Sequence, residues 1–147
     1  MPVIVVGADT AAGEAVIAAL LAPEREVRAF VSDPGVALRL KKVGVKVALG
    51  DVSDASHLAG AALNCFSMVC IEAAATDERD RAFADDRRAV LEAWAEAASD
   101  AGVRRVIWVT RDEPPTTRVP EAARVDPGLT LPDLARRVAE LDDAAEL

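Results

Sequence analysis

Short β-branched apolar runs alternate along the chain with longer stretches whose apolar residues recur at helical spacing. Val3-Ile4-Val5-Val6, entered from Pro2 and stopped by Gly7, reads as a strand buried on both faces. From Ala11 to Leu21 the residues Ala12, Ala15, Val16, Ala19 and Leu20 fall on one helical stripe, and Pro23 closes that helix. Val27–Val31 is a second strand. Asp33-Pro34-Gly35 then turns the chain into a helix over Val36–Val43, which Gly44 caps before a third strand at Val45–Leu49. Gly50-Asp51 stops that strand, and Asp54 is placed to cap a helix reaching about Leu63. Ser67–Ile71 makes a fourth strand.

The second half continues with one long charged helix. It opens at Thr76-Asp77 and ends at Gly102, with Phe83, Val90, Leu91, Trp94, Ala97 and Ala98 on one face. Val103–Thr110 is a fifth strand. Arg111–Gly128 holds four of the eight prolines and no periodicity, so residues 111–129 read as loop with a short helical piece at Glu121–Arg124. A last helix spans about 130–142, with Pro132 in its first turn. Five strands alternating with helices predict one α/β domain over residues 1–147. Its Rossmann-like parallel sheet is doubly wound, in order 3-2-1-4-5, with helices on both faces.

Composition narrows the function classes. With 147 residues and 52% hydrophobic content the chain builds one core and is no disordered acidic segment. Its apolar runs are strand-length, too short to span a bilayer. A formal charge of −8 argues against nucleic acid and anionic membrane as partners. Met1 leads directly into a strand without a basic leader region. Cys65 and Cys70 match no zinc, CxxC or disulfide spacing. Both features lead us to expect a cytoplasmic protein.

The first strand–helix turn reads Gly7-Ala8-Asp9-Thr10-Ala11-Ala12-Gly13, which offers helix N-terminal amides and a positive dipole end to an anion. Here the chain resembles the NmrA-like NAD(P)-binding group of atypical and extended short-chain dehydrogenase/reductases, whose turn reads Gly-Ala-Thr-Gly-x-x-Gly. The resemblance continues in Val27–Pro34, Gly44–Val47, Gly50–Asp54 and Ala101–Thr110, and extends to Leu131–Ala135. It implies a dinucleotide cofactor, NAD or NADP. The pyrophosphate would lie over Gly7, Asp9, Thr10, Ala11, Ala12 and Gly13. The adenine side would lie near Ser32, Asp33, Asp51 and Val52, and the nicotinamide near Ala74 and Thr110.

The departures from the family pattern matter equally. Thr10 stands at the middle glycine, where its side chain should crowd the pyrophosphate. Its hydroxyl could instead donate to a phosphate, and the same turn also serves simply to pack helix on strand. Ser32 replaces the arginine that favours NADP in the family. Asp33 is acidic, as NAD would favour, but is also an ordinary turn residue. The Asp51-Val52 pair matches the family's adenine contact and also a common strand stop. There is no tyrosine, so the family's Tyr-x-x-x-Lys pair cannot exist. Lys41, Lys42 and Lys46 all precede the position of its lysine, and Thr110 replaces its serine. No catalytic or metal-ligating residue is assigned, and an enzyme is disfavoured. His57 reads as a solvated helix residue and the two cysteines as small buried hydrophobes. Arginines among acids over Asp77–Arg88 read as a salt-bridged face.

The leading expectation is an NAD(P)-binding domain acting as a dinucleotide-binding, sensor or regulatory protein. It would work as a homodimer or with a protein partner docked at the Trp94 face or the Arg111–Gly128 loop. Three alternatives stand beside it. They are a small NAD(P)-dependent oxidoreductase, a nucleotide-binding regulatory domain of potassium transport, and a degenerate scaffold that has lost nucleotide binding.

Overall fold

The computed structural model describes residues 1–147 and contains one six-stranded sheet in which every neighbouring pair is parallel. The strands are β1 (Val3–Val6), β2 (Val27–Val31), β3 (Lys46–Leu49), β4 (Ser67–Ile71), β5 (Arg105–Val109) and β6 (Glu121–Val125). The helices are α1 (Ala11–Leu20), α2 (Pro34–Lys42), α3 (Ala55–Ala61), α4 (Ala73–Thr76), α5 (Arg87–Ala101) and α6 (Leu131–Asp143). The order is 3-2-1-4-5-6, so the expected order holds for five strands and a sixth extends it. No helix is long and apolar enough to cross a membrane.

Alternation within the strands builds the two layers. Val3 and Val5 face one core with Val16, Ile17 and Leu20 of α1, Leu40 of α2 and Leu134 of α6. Ile4 and Val6 face the other with Leu58 of α3 and Val90, Leu91 and Trp94 of α5. Both faces of β1 and β4 are therefore covered, which is why β1 reads as an unbroken apolar run and β4 as one after Ser67.

Two expectations are corrected here. Residues 121–125 are neither loop nor helix but strand β6. Alanine, glutamate and arginine carry little β preference, so the segment's own composition hides it. Tertiary contacts impose the strand. The fully buried Arg105 on β5 pins the register by donating from Nη2 to both Glu121 carboxylate oxygens at 3.1 Å. Its Nη1 donates to the Leu141, Asp142 and Ala144 carbonyls, which closes the C-terminus of α6.

The long helix from Thr76 to Gly102 is likewise divided. The short α4 ends at Thr76, residues 77–86 cross as an irregular segment, and α5 begins only after Asp86, whose carboxylate accepts from Ala89 N at 2.9 Å. Phe83 therefore leaves the apolar face and stands 69% exposed. Trp94 is fully buried and donates from Nε1 to Val52 O at 2.7 Å, so it is core and no docking face. His57 is exposed as expected, with its ring edge-on to Phe30. Both cysteines are buried, and burial pushes the Cys65 thiol up to about 11 and Cys70 higher still.

Candidate functional site

The carboxyl ends of β1, β2 and β4 meet where the strand order reverses, the place where folds of this kind open a crevice. Gly7 ends β1 with φ +86°, a conformation that side-chain-bearing residues rarely adopt. A Cβ there would also stand 2.9 Å from Ala74 Cβ. A Cβ on Gly13 would lie 2.6 Å from Ala8 Cα and closer still to the Gly7 carbonyl oxygen. The turn is thus drawn as tight as backbone permits, and it brings the N-terminus of α1 to the rim of the sheet. The amides of Ala11 and Ala12 find no protein acceptor, so two donors and the helix dipole remain for an anion. This half of the crevice fits a pyrophosphate.

Thr10 is folded back into the turn. Its Oγ1 donates to Gly7 O at 2.6 Å and accepts from Gly13 N at 3.0 Å, capping α1. The expectation that this hydroxyl could donate to a phosphate is corrected, because its only proton is committed. The same cap also withdraws the Gly13 amide from the crevice.

The residues expected on the adenosine side are brought together, but their polar atoms are already engaged. Asp9, with a side chain only 3% exposed, accepts at Oδ2 from Ser32 N (2.8 Å) and Asp33 N (3.2 Å). Its Oδ1 accepts from Arg79 Nη1 at 2.7 Å. Arg79 in turn forks onto Asp77 through Nε (2.7 Å) and Nη2 (2.5 Å). Ser32 Oγ donates to Gly50 O at 3.1 Å. The Asp33 carboxylate points away, capping α2 through Gly35 N and Val36 N. Asp51 accepts from Ser53 N, Ser53 Oγ and Ala82 N, and Phe83 N donates to Ser53 Oγ at 3.0 Å. Burial alone would raise the Asp51 carboxyl, but these donors outweigh it and hold it below the usual range. Asp77 is held down in the same way, against its own burial, by the Arg79 guanidinium.

Residues 77–86 therefore form a strap over this half of the crevice, fastened at Asp9, Asp51 and Ser53. Nothing in its helix-like pattern of charges revealed the strap. The available signal was Asp9 itself, an ionisable residue where the resembled family carries threonine.

On the opposite side, Ala74 and Thr110 are both fully buried. Thr110 Oγ1 donates to Asp112 O at 2.9 Å. Between them lies Glu72, unforeseen from sequence, which pairs with Arg87 and accepts from Arg111 N at 3.1 Å. Beyond β5 a cavity of about 440 Å³ opens among Trp108, Arg111, Glu113, Pro114 and Ala122–Arg124. No cluster of His, Cys, Asp and Glu could hold a metal ion.

Comparison with solved structures finds the same fold in several proteins. The chain is similar to the anaerobilin reductase ChuY of Escherichia coli O157:H7, at 18% identity and TM-score 0.73, over 99% of this chain and 92% of that one. It is also similar to the NADPH-dependent quinone oxidoreductase of Escherichia coli, with 24% identity and TM-score 0.61. That match covers 74% of this chain but only 36% of the oxidoreductase. The triphenylmethane reductase of a Citrobacter species, solved with NADP(H), gives 24% identity and TM-score 0.61 over 74% of this chain and 37% of its own. This chain thus spans little more than a third of the last two. No curated protein sequence matches it. The profile of the NAD(P)H-binding family matches residues 7–124, from the first glycine of the turn into β6. The chain belongs to the NAD(P)H-binding family, on a Rossmann-like sheet of the same fold as these structures.

Proposed function

We propose that this protein is a dinucleotide sensor, which reports the occupancy of its crevice through the 77–86 strap. The fastening of that strap carries the reading. Ala82 N on Asp51, Phe83 N on Ser53 and Arg79 on Asp9 seat it across the residues expected around adenosine. A nucleotide entering there competes for the same acceptors, so the strap leaves its anchors and the exposed Phe83 moves with it. Ligand affinity and strap position are then linked, and a partner that recognises one strap state alters cofactor affinity in return. That partner is a second copy of the chain or another protein. The absence of tyrosine and the commitment of the Thr110 hydroxyl to Asp112 O leave no evident proton donor at the nicotinamide end, which favours binding as the output.

Calorimetric titration with NAD⁺, NADH, NADP⁺ and NADPH, paired with amide hydrogen exchange, tests this. Micromolar-range binding with faster exchange at Ala82 and Phe83 is the expected result. Binding that leaves those amides protected removes the sensor role.

A second reading, a small NAD(P)-dependent oxidoreductase, is favoured by the full-length similarity to a reductase. The cavity beside Arg111 would then receive the substrate. Sustained NADH or NADPH oxidation with quinone, flavin or tetrapyrrole acceptors establishes that reading instead.

A further inference from the structure

We infer that Asp9 selects the cofactor by its ribose, admitting a free 2′-hydroxyl and turning away a 2′-phosphate. This rests on the dinucleotide-binding reading above and adds the identity of the cofactor.

In a sheet wound this way, the adenosine ribose lies between the first glycine turn and the carboxyl end of β2. The groups that could grip a 2′-phosphate there are the amides of Ser32 and Asp33 and the Arg79 guanidinium. All three already serve Asp9, whose carboxylate spans the gap with one oxygen on the two amides and the other on the arginine. Asp9 thus occupies, as part of the chain, the anion position that an incoming phosphate would need. Arg79 does not reverse the sign of the site, since Asp77 also engages it through Nε and Nη2 and it stands as one cation between two carboxylates.

The two riboses meet this arrangement differently. A 2′-hydroxyl carries a proton and can donate to an Asp9 oxygen, taking the place of Arg79 when the strap lifts. A 2′-phosphate carries about −1.5 to −2 charges at neutral pH and has almost only acceptor oxygens. It would face the shielded Asp9 carboxylate, to which the Ser32 and Asp33 amides are already given, in a site where like charges are weakly screened. Asp33, the residue that the sequence offers for this task, is not available for it, because its carboxylate caps α2.

The test is titration of the wild-type chain and of Asp9→Asn with NADH and with NADPH. The amide keeps an acceptor for Ser32 N while removing the charge and freeing Arg79. The wild type should bind NADH at least about tenfold more tightly than NADPH. In Asp9→Asn the ratio should fall to roughly threefold or less, through a gain on the NADPH side. As a check that needs no variant, adenosine 5′-monophosphate should displace NADH from the wild type more effectively than adenosine 2′,5′-bisphosphate. Equal binding of the two dinucleotides, preference for NADPH, or equal competition overturns the inference and leaves the binding reading intact. Binding of neither dinucleotide by either protein overturns both.

Discussion

Replacing Gly13 by alanine places one methyl group where the glycine turn has no room. The added Cβ would stand 2.6 Å from Ala8 Cα and 2.8 Å from the Gly7 carbonyl carbon, with the Gly7 oxygen nearer still. These neighbours are backbone, so no side-chain rotation relieves the contact. α1 must slide away from β1 or the turn must open. Forced overpacking costs about 1–3 kcal/mol, and a purely backbone clash belongs at the upper end. We therefore expect a loss near 3 kcal/mol, read as a fall of about 6–12 °C in Tm for a chain of this size. The same displacement breaks the hydrogen bond from Gly13 N to Thr10 Oγ1 and moves the Ala11 and Ala12 amides. Dinucleotide affinity should drop about tenfold or more. Gly60→Ala is the control: it lies in α3 with open space around its new Cβ and should stabilise by about 0.5–1 kcal/mol. Chemical and thermal unfolding of both variants reads the difference. A Gly13→Ala protein within about 0.5 kcal/mol of the parent would refute the close-approach argument.

Three further expectations follow from the same geometry. Thr10→Gly should tighten dinucleotide binding in calorimetry by releasing the Gly13 amide, while losing the cap costs stability only a few tenths of a kcal/mol; unchanged or weaker binding would show that the cap does not compete with the ligand. Arg105→Leu leaves the Leu141, Asp142 and Ala144 carbonyls without their donor and Glu121 with only Arg104 and the Leu147 amide, and should cost about 3 kcal/mol in urea unfolding; a loss under 1 kcal/mol would contradict its role in pinning β6. The strap should loosen in acid. Asp51 and Asp77 are held below their usual values when folded, so their contribution is complete above about pH 4, the unfolded value, and fades as the pH falls further through the folded one. Pepsin cleavage within residues 77–86 should therefore accelerate between about pH 4 and 3 before global unfolding, and a cleavage rate flat across that range would contradict it.

How far the sequence revealed all this differs by element. β1, β2 and β4 were legible because burial on both faces forces short, largely apolar runs, interrupted only by Arg28 in β2 and Ser67 in β4. α1 announced itself through periodicity, and α2 through the Asp33-Pro34-Gly35 turn at its start; the cap that Thr10 places on α1 was not foreseen. β6 was hidden because an edge strand need bury little. Glu121-Ala122-Ala123-Arg124 would suit a helix, and the strand is held by Arg105 sixteen residues earlier. The strap was misread for a related reason. Asp77, Arg79 and Asp80 look like a solvated helical face, but Arg79 reaches Asp9 and the Ala82 amide reaches Asp51 across the fold, and no local pattern records those. The glycine turn was read correctly as a crevice wall, yet the fate of the Thr10 hydroxyl turned on where its single proton goes. Asp33 offered itself as the ribose residue by position, whereas its cap on α2 leaves that place to Asp9.

A crystal structure of the chain grown with NADH tests the central claim most directly. The account predicts the pyrophosphate at the Ala11 and Ala12 amides, the adenosine ribose at Asp9, and residues 77–86 detached from Asp51 and Ser53. A dinucleotide bound with the strap still fastened at Ala82 and Phe83, or seated instead in the cavity by Trp108, would contradict it.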